Sequence, residues 1–205
     1  MFIKKIMEVV SAPENMPAQC VPEQINARMG VNLPDDYYEV INTYGAGTFG
    51  EFISLLVPYT DDFEFGLFRF MEQDREEYNE NRDMLFGDEP LFEISNDNNN
   101  MFGAWREGMP YCYYPANNGL IPWGRYPEGN DYTFYWKVND CRWTIVVYND
   151  CFEYIEYDMT MSEFLYNLLA GNIVLDNTFN NNNIAFVPFN WLSSPVSSET
   201  GDFSL

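Results

Sequence analysis

Residues 132–157 read YTFYWKVNDCRWTIVVYNDCFEYIEY. The runs Tyr132 to Val138, Cys141 to Tyr148 and Cys151 to Tyr157 are dense in aromatic and β-branched residues, which suit the pleated, half-buried surface of a strand. Between them stand Asn139-Asp140 and Asn149-Asp150, types that tolerate positive φ, so the stretch predicts an antiparallel three-strand meander joined by two-residue turns. Cys141 and Cys151 each follow a turn and fall at opposite ends of the middle strand, too far apart for a disulfide.

Toward the C-terminus the meander runs into Thr160-Met161-Ser162-Glu163, a capping-box pattern. A helix carrying Phe164, Leu165, Leu168 and Leu169 follows and ends at Gly171, and its single apolar stripe is expected to pack on the sheet. Ile184 to Phe189 is a candidate further strand, and residues 193–205 read as a flexible tail.

Toward the N-terminus, Pro22 to Met29 reads as a short helix stopped by Gly30. A second helix starts at Leu33-Pro34-Asp35-Asp36, where proline and two acids suit a helix N-terminus, and runs through Tyr37, Tyr38, Ile41 and Tyr44 to Gly45. Gly45-Ala46-Gly47-Thr48-Phe49-Gly50 lacks the Gly-Lys-Ser/Thr ending of a phosphate loop and follows a helix rather than a strand. It reads as a turn into a strand from Glu51 to Val57, and no nucleotide or other cofactor is implied. Pro122-Trp123-Gly124 is expected to plug the core and turn a corner at a strand entrance.

The chain has 205 residues with 32 acidic and 10 basic side chains, no histidine and a formal charge of −22. Such a field repels nucleic acid, phosphates and anionic membranes and attracts basic surfaces. Without histidine the commonest general base and neutral metal ligand are missing, which favours binding over catalysis. Hydrophobic residues at 46% and aromatics at 18% supply a core and argue against wholesale disorder. No stretch reaches the roughly 20 apolar residues of a membrane span. Glu8 interrupts the short apolar run after Lys4 and Lys5, so no secretory leader is read and a cytoplasmic location is expected. The cysteines Cys20, Cys112, Cys141 and Cys151 form no C-x-x-C pair and are expected to be reduced. Ser95-Asn96-Asp97-Asn98-Asn99-Asn100 has the composition of a calcium loop without its glycine and final glutamate, and reads as a polar turn. No metal site is spelled out.

The acidity concentrates between Asp61 and Glu93, where Arg69, Arg75 and Arg82 are the bases; Arg69 to Leu85 is a candidate helix with a thin apolar stripe. A charge run is often a solvated face. Read as a binding surface, it offers Asp61, Asp62, Glu64, Asp74, Glu76, Glu77 and Glu80 as contacts for a basic protein. A carboxylate-pair enzyme of the glycosidase type is a third reading, with Glu153/Glu156 or Asp61/Asp62 as candidate pairs.

Leu33-Pro34-Asp35-Asp36-Tyr37, followed by Asn42 to Gly50 with its glycines, resembles the helix-and-turn near the start of the SUKH superfamily (Smi/Knr-like). Leu120-Ile121-Pro122-Trp123-Gly124-Arg125 is similar to its proline-aromatic-glycine element. Asn130-Asp131 with Trp136, then Trp143 to Val147, are similar to the two strands that follow, and Asp158 to Gly171 resembles its closing helix. The matches cover about residues 20–58 and 110–173. The resemblance implies an α+β fold with a curved, mostly antiparallel sheet flanked by helices, forming one domain over 1–192 with an acidic insertion at about 61–107. It also implies an immunity protein that occludes a polymorphic toxin, many of these toxins being nucleases; fungal members are instead regulators tied to cell-wall synthesis. A regulatory or scaffold module on the same fold is the alternative.

Overall fold

The computed structural model describes residues 2–14, 20–50, 52–86, 95–97, 100–104, 111–116, 119–127, 132–138, 142–149, 153–175 and 184–189, with the backbone alone for 77–86, 95–97 and 100–104. Among these the helices are α1 (Phe2–Val9), α2 (Pro22–Met29), α3 (Asp35–Tyr44), α4 (Leu67–Phe86) and α5 (Met161–Leu169). The strands are β1 (Gly47–Phe49), β2 (Ile53–Leu55), β3 (Ser95–Asp97), β4 (Asn100–Ala104), β5 (Leu120–Arg125), β6 (Tyr132–Val138), β7 (Trp143–Asn149), β8 (Glu153–Tyr157) and β9 (Phe186–Pro188). They form one antiparallel sheet in the order β3-β4-β8-β7-β6-β5-β2-β1-β9. The α+β class, with a curved open sheet and flanking helices, is as expected.

The predicted meander is β6-β7-β8, but its connections are longer than two-residue turns. Val138 pairs with Trp143, so residues 139–142 join the first two strands, and Tyr148 pairs with Tyr154 at the other end. A slip of β7 by two residues keeps every side chain on its own face, so alternation alone left that register open. At the second connection the Asn149 carboxamide holds Glu153. Its Oδ1 accepts from the Glu153 amide at 2.9 Å, and its Nδ2 donates to the Glu153 carboxylate at 3.0 Å. Cys141, Cys151 and the tail at 193–205 lie outside the described residues.

Pro122-Trp123-Gly124 forms a bulge. Pro122 pairs with Tyr135 and Gly124 with Phe134, leaving Trp123 as the extra residue, turned into the core with 0% exposure. A bulge tolerates a proline without an N–H and redirects one side chain inward. At Gly124 a Cβ would stand 3.0 Å from Ile53 Cγ2 and 3.3 Å from the Ser54 carbonyl oxygen, so a side chain there would press on β2. The stretch from Gly45 to Gly50 is more than a turn. Gly47–Phe49 is itself a strand between β2 and β9, and a Cβ on Gly47 would meet the Val187 carbonyl at 2.5 Å. Ser95–Asp97 likewise belongs to a strand pair, in which β4 adds to the edge of β8. Backbone donors along an edge strand pair with any extended segment, whatever its side chains, so polar composition was a poor guide there.

One face of the sheet is covered by α1, α3 and α5. Ile3 and Ile6 of α1, Tyr37, Ile41 and Tyr44 of α3, and Phe164, Leu165 and Leu168 of α5 are buried there against Phe134, Trp136, Ile145 and Val147. The buried phenols find backbone acceptors: Tyr37 donates to the Leu56 carbonyl at 2.7 Å and Tyr44 to the Val10 carbonyl at 2.6 Å. The predicted cap of α5 is present, Thr160 Oγ1 accepting from the Glu163 amide at 3.3 Å. Asp36 reaches across from α3 to accept from the Ser162 amide at 2.7 Å, so two helix starts are joined through one carboxylate. No described helix is long and apolar enough to cross a membrane.

Candidate functional site

The acidic segment is built in two parts. Before α4, Asp62 organises a tight turn, its Oδ1 accepting from the amides of Glu64 at 2.8 Å and Phe65 at 3.3 Å. That arrangement leaves the Asp61 and Glu64 side chains exposed. Along α4, Glu72 and Glu76 are exposed and one helical turn apart. Among the described residues, Asp61, Glu64, Glu72 and Glu76 take part in neither salt bridge, those being Lys137–Glu156 and Arg142–Asp158.

Asp74 is placed differently from its predicted neighbours. Helical spacing turns it from Glu72 and Glu76 toward the sheet, where it accepts from the Tyr113 hydroxyl at 2.7 Å and the Tyr135 hydroxyl at 2.9 Å. It therefore anchors α4 through a part-buried carboxylate that is already engaged by two phenols. Burial, then the charge of Asp74, pushes both phenols well above their ordinary pKa. Asp62 is part-buried and its carboxylate serves its own turn. The side chains of Glu77 and Glu80 lie outside the described residues.

Behind Asp74 the sheet carries a second polar group. Glu156 is buried on β8 and meets Lys137 Nζ at 2.6 Å, Thr144 Oγ1 at 2.6 Å and the Tyr111 hydroxyl at 3.0 Å. Burial opposes its ionisation, but the hydrogen bonds from Lys137 and Thr144 and the Lys137 charge prevail and hold its pKa below the usual carboxylate value. A general acid needs the opposite shift. Side chains alternate along β8, so Glu153 and Glu156 point to opposite faces and form no catalytic pair.

Two concavities flank these features. One, of about 220 Å³, lies where α3 and α5 begin and is walled by Pro34, Trp136, Trp143, Ile145 and Met161. The other, of about 270 Å³, runs between α2, α4 and segment 111–116. No family model, curated protein or solved structure matches the chain.

The second concavity was invisible in the sequence, because Arg28, Phe68, Arg75 and Tyr114 lie on three separate segments. The Asp74 and Glu156 networks were equally hidden: an acid in an acidic run, or on a strand, carries no local mark of the hydroxyls the fold will bring to it.

Proposed function

We propose that this protein is an immunity protein of the SUKH type, which neutralises a basic, nuclease-type toxin domain by stoichiometric occlusion. The observation that carries this reading is the exposed, unneutralised acidic ridge formed by Asp61 and Glu64 in the turn and Glu72 and Glu76 on α4. Arg69 donates to the Asp61 backbone carbonyl at 3.2 Å and lies 5.6 Å from the centre of the exposed Phe63 ring, Arg125 lies 5.5 Å from that of Phe70, and among the described residues neither forms a salt bridge with a ridge carboxylate. A cleft that holds a polyanion is lined with lysine and arginine, and a ridge of this sign is steered toward such a cleft and raises the on-rate. The ordered sequence motifs and the α+β architecture support the same reading.

The test is capture of partners from the source cells on the full chain, eluted by stepwise salt, then expression of each partner with and without the chain. A basic partner that is lethal alone and harmless with the chain is expected. A neutral, harmless partner would overturn the immunity reading in favour of a scaffold role. Changing Glu76, Glu77 and Glu80 together to Lys is expected to weaken the complex sharply and flatten its salt dependence. Unchanged affinity at low salt would move the contact off α4.

A further inference from the structure

In a chain with 32 acids and 10 bases, an arginine without a carboxylate partner is unexpected, and the groove between α2 and α4 contains two. Arg28 Cζ stands over the Phe68 ring, 3.5 Å from its centre, and Arg75 of α4 lines the same groove. Among the described residues neither forms a salt bridge or a side-chain hydrogen bond. Stacking occupies the face of a guanidinium and leaves its in-plane N–H donors free for a planar oxyanion. Met29, Met71, Tyr114 and Pro115 make the remaining walls apolar, with Glu72 as the one carboxylate, so the local balance is positive. The walls are fixed in advance. Tyr114 donates to the Met29 carbonyl at 3.0 Å, tying the loop to α2, and Tyr113 donates to Asp74 at 2.7 Å, tying it to α4.

We propose that this groove binds a small monocarboxylate with a flat apolar body, the carboxylate held between Arg28 and Arg75 and the body against Met71, Tyr114 and Pro115. The size follows from the volume of about 270 Å³, which suits one ring on a short chain. A single charge follows from the −22 field. Each additional negative charge meets that repulsion, whereas contact with two guanidiniums acts well inside the screening length. The groove adjoins the acidic ridge at Glu72, which lines both, but its assignment stands whether or not a toxin is the partner.

Titration of the full chain with hydrocinnamate, followed by calorimetry or amide shifts, tests the assignment. Saturable binding is expected, at least about tenfold tighter than for the uncharged hydrocinnamide, and lost to a similar degree in R28Q and in R75Q. R28K should recover only part of the affinity, because the ammonium keeps the charge without the planar fork. Equal binding of acid and amide, undiminished binding in both glutamine variants, or no saturation at millimolar concentration would each overturn the site. Binding of a short peptide with a free carboxy-terminal phenylalanine, with none of hydrocinnamate, would overturn the small-molecule assignment. The comparison of acid with amide uses the unaltered chain, so it stands even if a variant folds poorly.

Discussion

Phe134 and Trp136 turn to one face of the sheet, Tyr135 and Lys137 to the other, and each face is closed by a different chemistry. On the first face, α1, α3 and α5 cover the strands with rings and branched side chains, and the buried hydroxyls of Tyr37 and Tyr44 reach backbone carbonyls. Trp136 meets Tyr37 edge-on at 4.9 Å and Trp143 at 5.8 Å. On the second face Tyr111, Tyr113 and Tyr135 carry their hydroxyls to two carboxylates, Asp74 and Glu156, and the Tyr154 ring packs on Tyr111. The first face owes its stability chiefly to area removed from water, with the Asp36 carboxylate joining the starts of α3 and α5 at its rim. The second depends on charged acceptors, so a single proton or a single lost partner acts on it directly. On this division the proposed contact surface lies on the outer side of the second face, where α4 is held by Asp74 and displays Glu72 and Glu76.

The largest effect is expected from W123A. The bulge puts this ring at the centre of the first face, 5.4 Å from Phe134 and 6.1 Å from Phe164. Removing it should cost about 4 kcal/mol in urea unfolding, the range of large-to-small changes in a packed core. A loss near 1 kcal/mol would mean that the first face is not the principal core. Next comes E156L, which strands Lys137 in a nearly buried site and should cost about 3 kcal/mol. Adding K137M should recover most of that loss, since an apolar pair replaces an ion pair with little penalty. The acid limb sharpens the contrast. The folded pKa of Glu156 lies below its ordinary value of 4.5, so its contribution is present above pH 4.5 and is lost as pH falls through the folded value. E156Q should therefore flatten the stability profile below that pH, whereas W123A should lower it evenly.

A smaller change, about 2 kcal/mol, is expected for D74N, which keeps an acceptor but removes the charge that two phenols share. Hydrogen exchange should show faster opening confined to α4, with α5 unaltered. Equal loosening of both helices would mean that the two faces unfold as one unit and that the division between them has no energetic content.

The first face was legible because alternation and helical spacing report apolar burial directly. Tyr37, Ile41 and Tyr44 on α3 and Phe164, Leu165 and Leu168 on α5 stand at the intervals that make a stripe. Helix α1 escaped notice although Ile3, Ile6 and Val10 are buried, because the segment was weighed as a leader rather than as an element of the core. The second face was not legible. Its strands alternate correctly, yet a row of Tyr, Thr, Lys and Glu reads as a solvated side, and only the long-range approach of α4 and of segment 111–116 turns it inward. The same reason explains the acidic run. Asp74 and Glu76 are two residues apart and alike in composition; a helix sets them on different sides, and the sequence does not mark which side meets the sheet.

The smallest effect on stability, and the one that separates packing from function, is expected for E64K combined with E76K. Both side chains are exposed and outside the salt bridges of the described residues, so the pair of changes should move stability by no more than about 0.5 kcal/mol per site. Binding should respond differently. Each replacement puts a positive charge on the ridge proposed to meet a basic partner, and should slow association and lower the slope of affinity against salt. D74N is the matched control: it lowers stability while leaving Glu64 and Glu76 exposed on the outer side. If D74N weakened association as much as the lysine changes at matched folded fraction, the partner would be reading the position of α4 rather than its charge. If the lysine changes alone slowed association, the ridge would act by its field, with Asp74 contributing through the helix it holds in place.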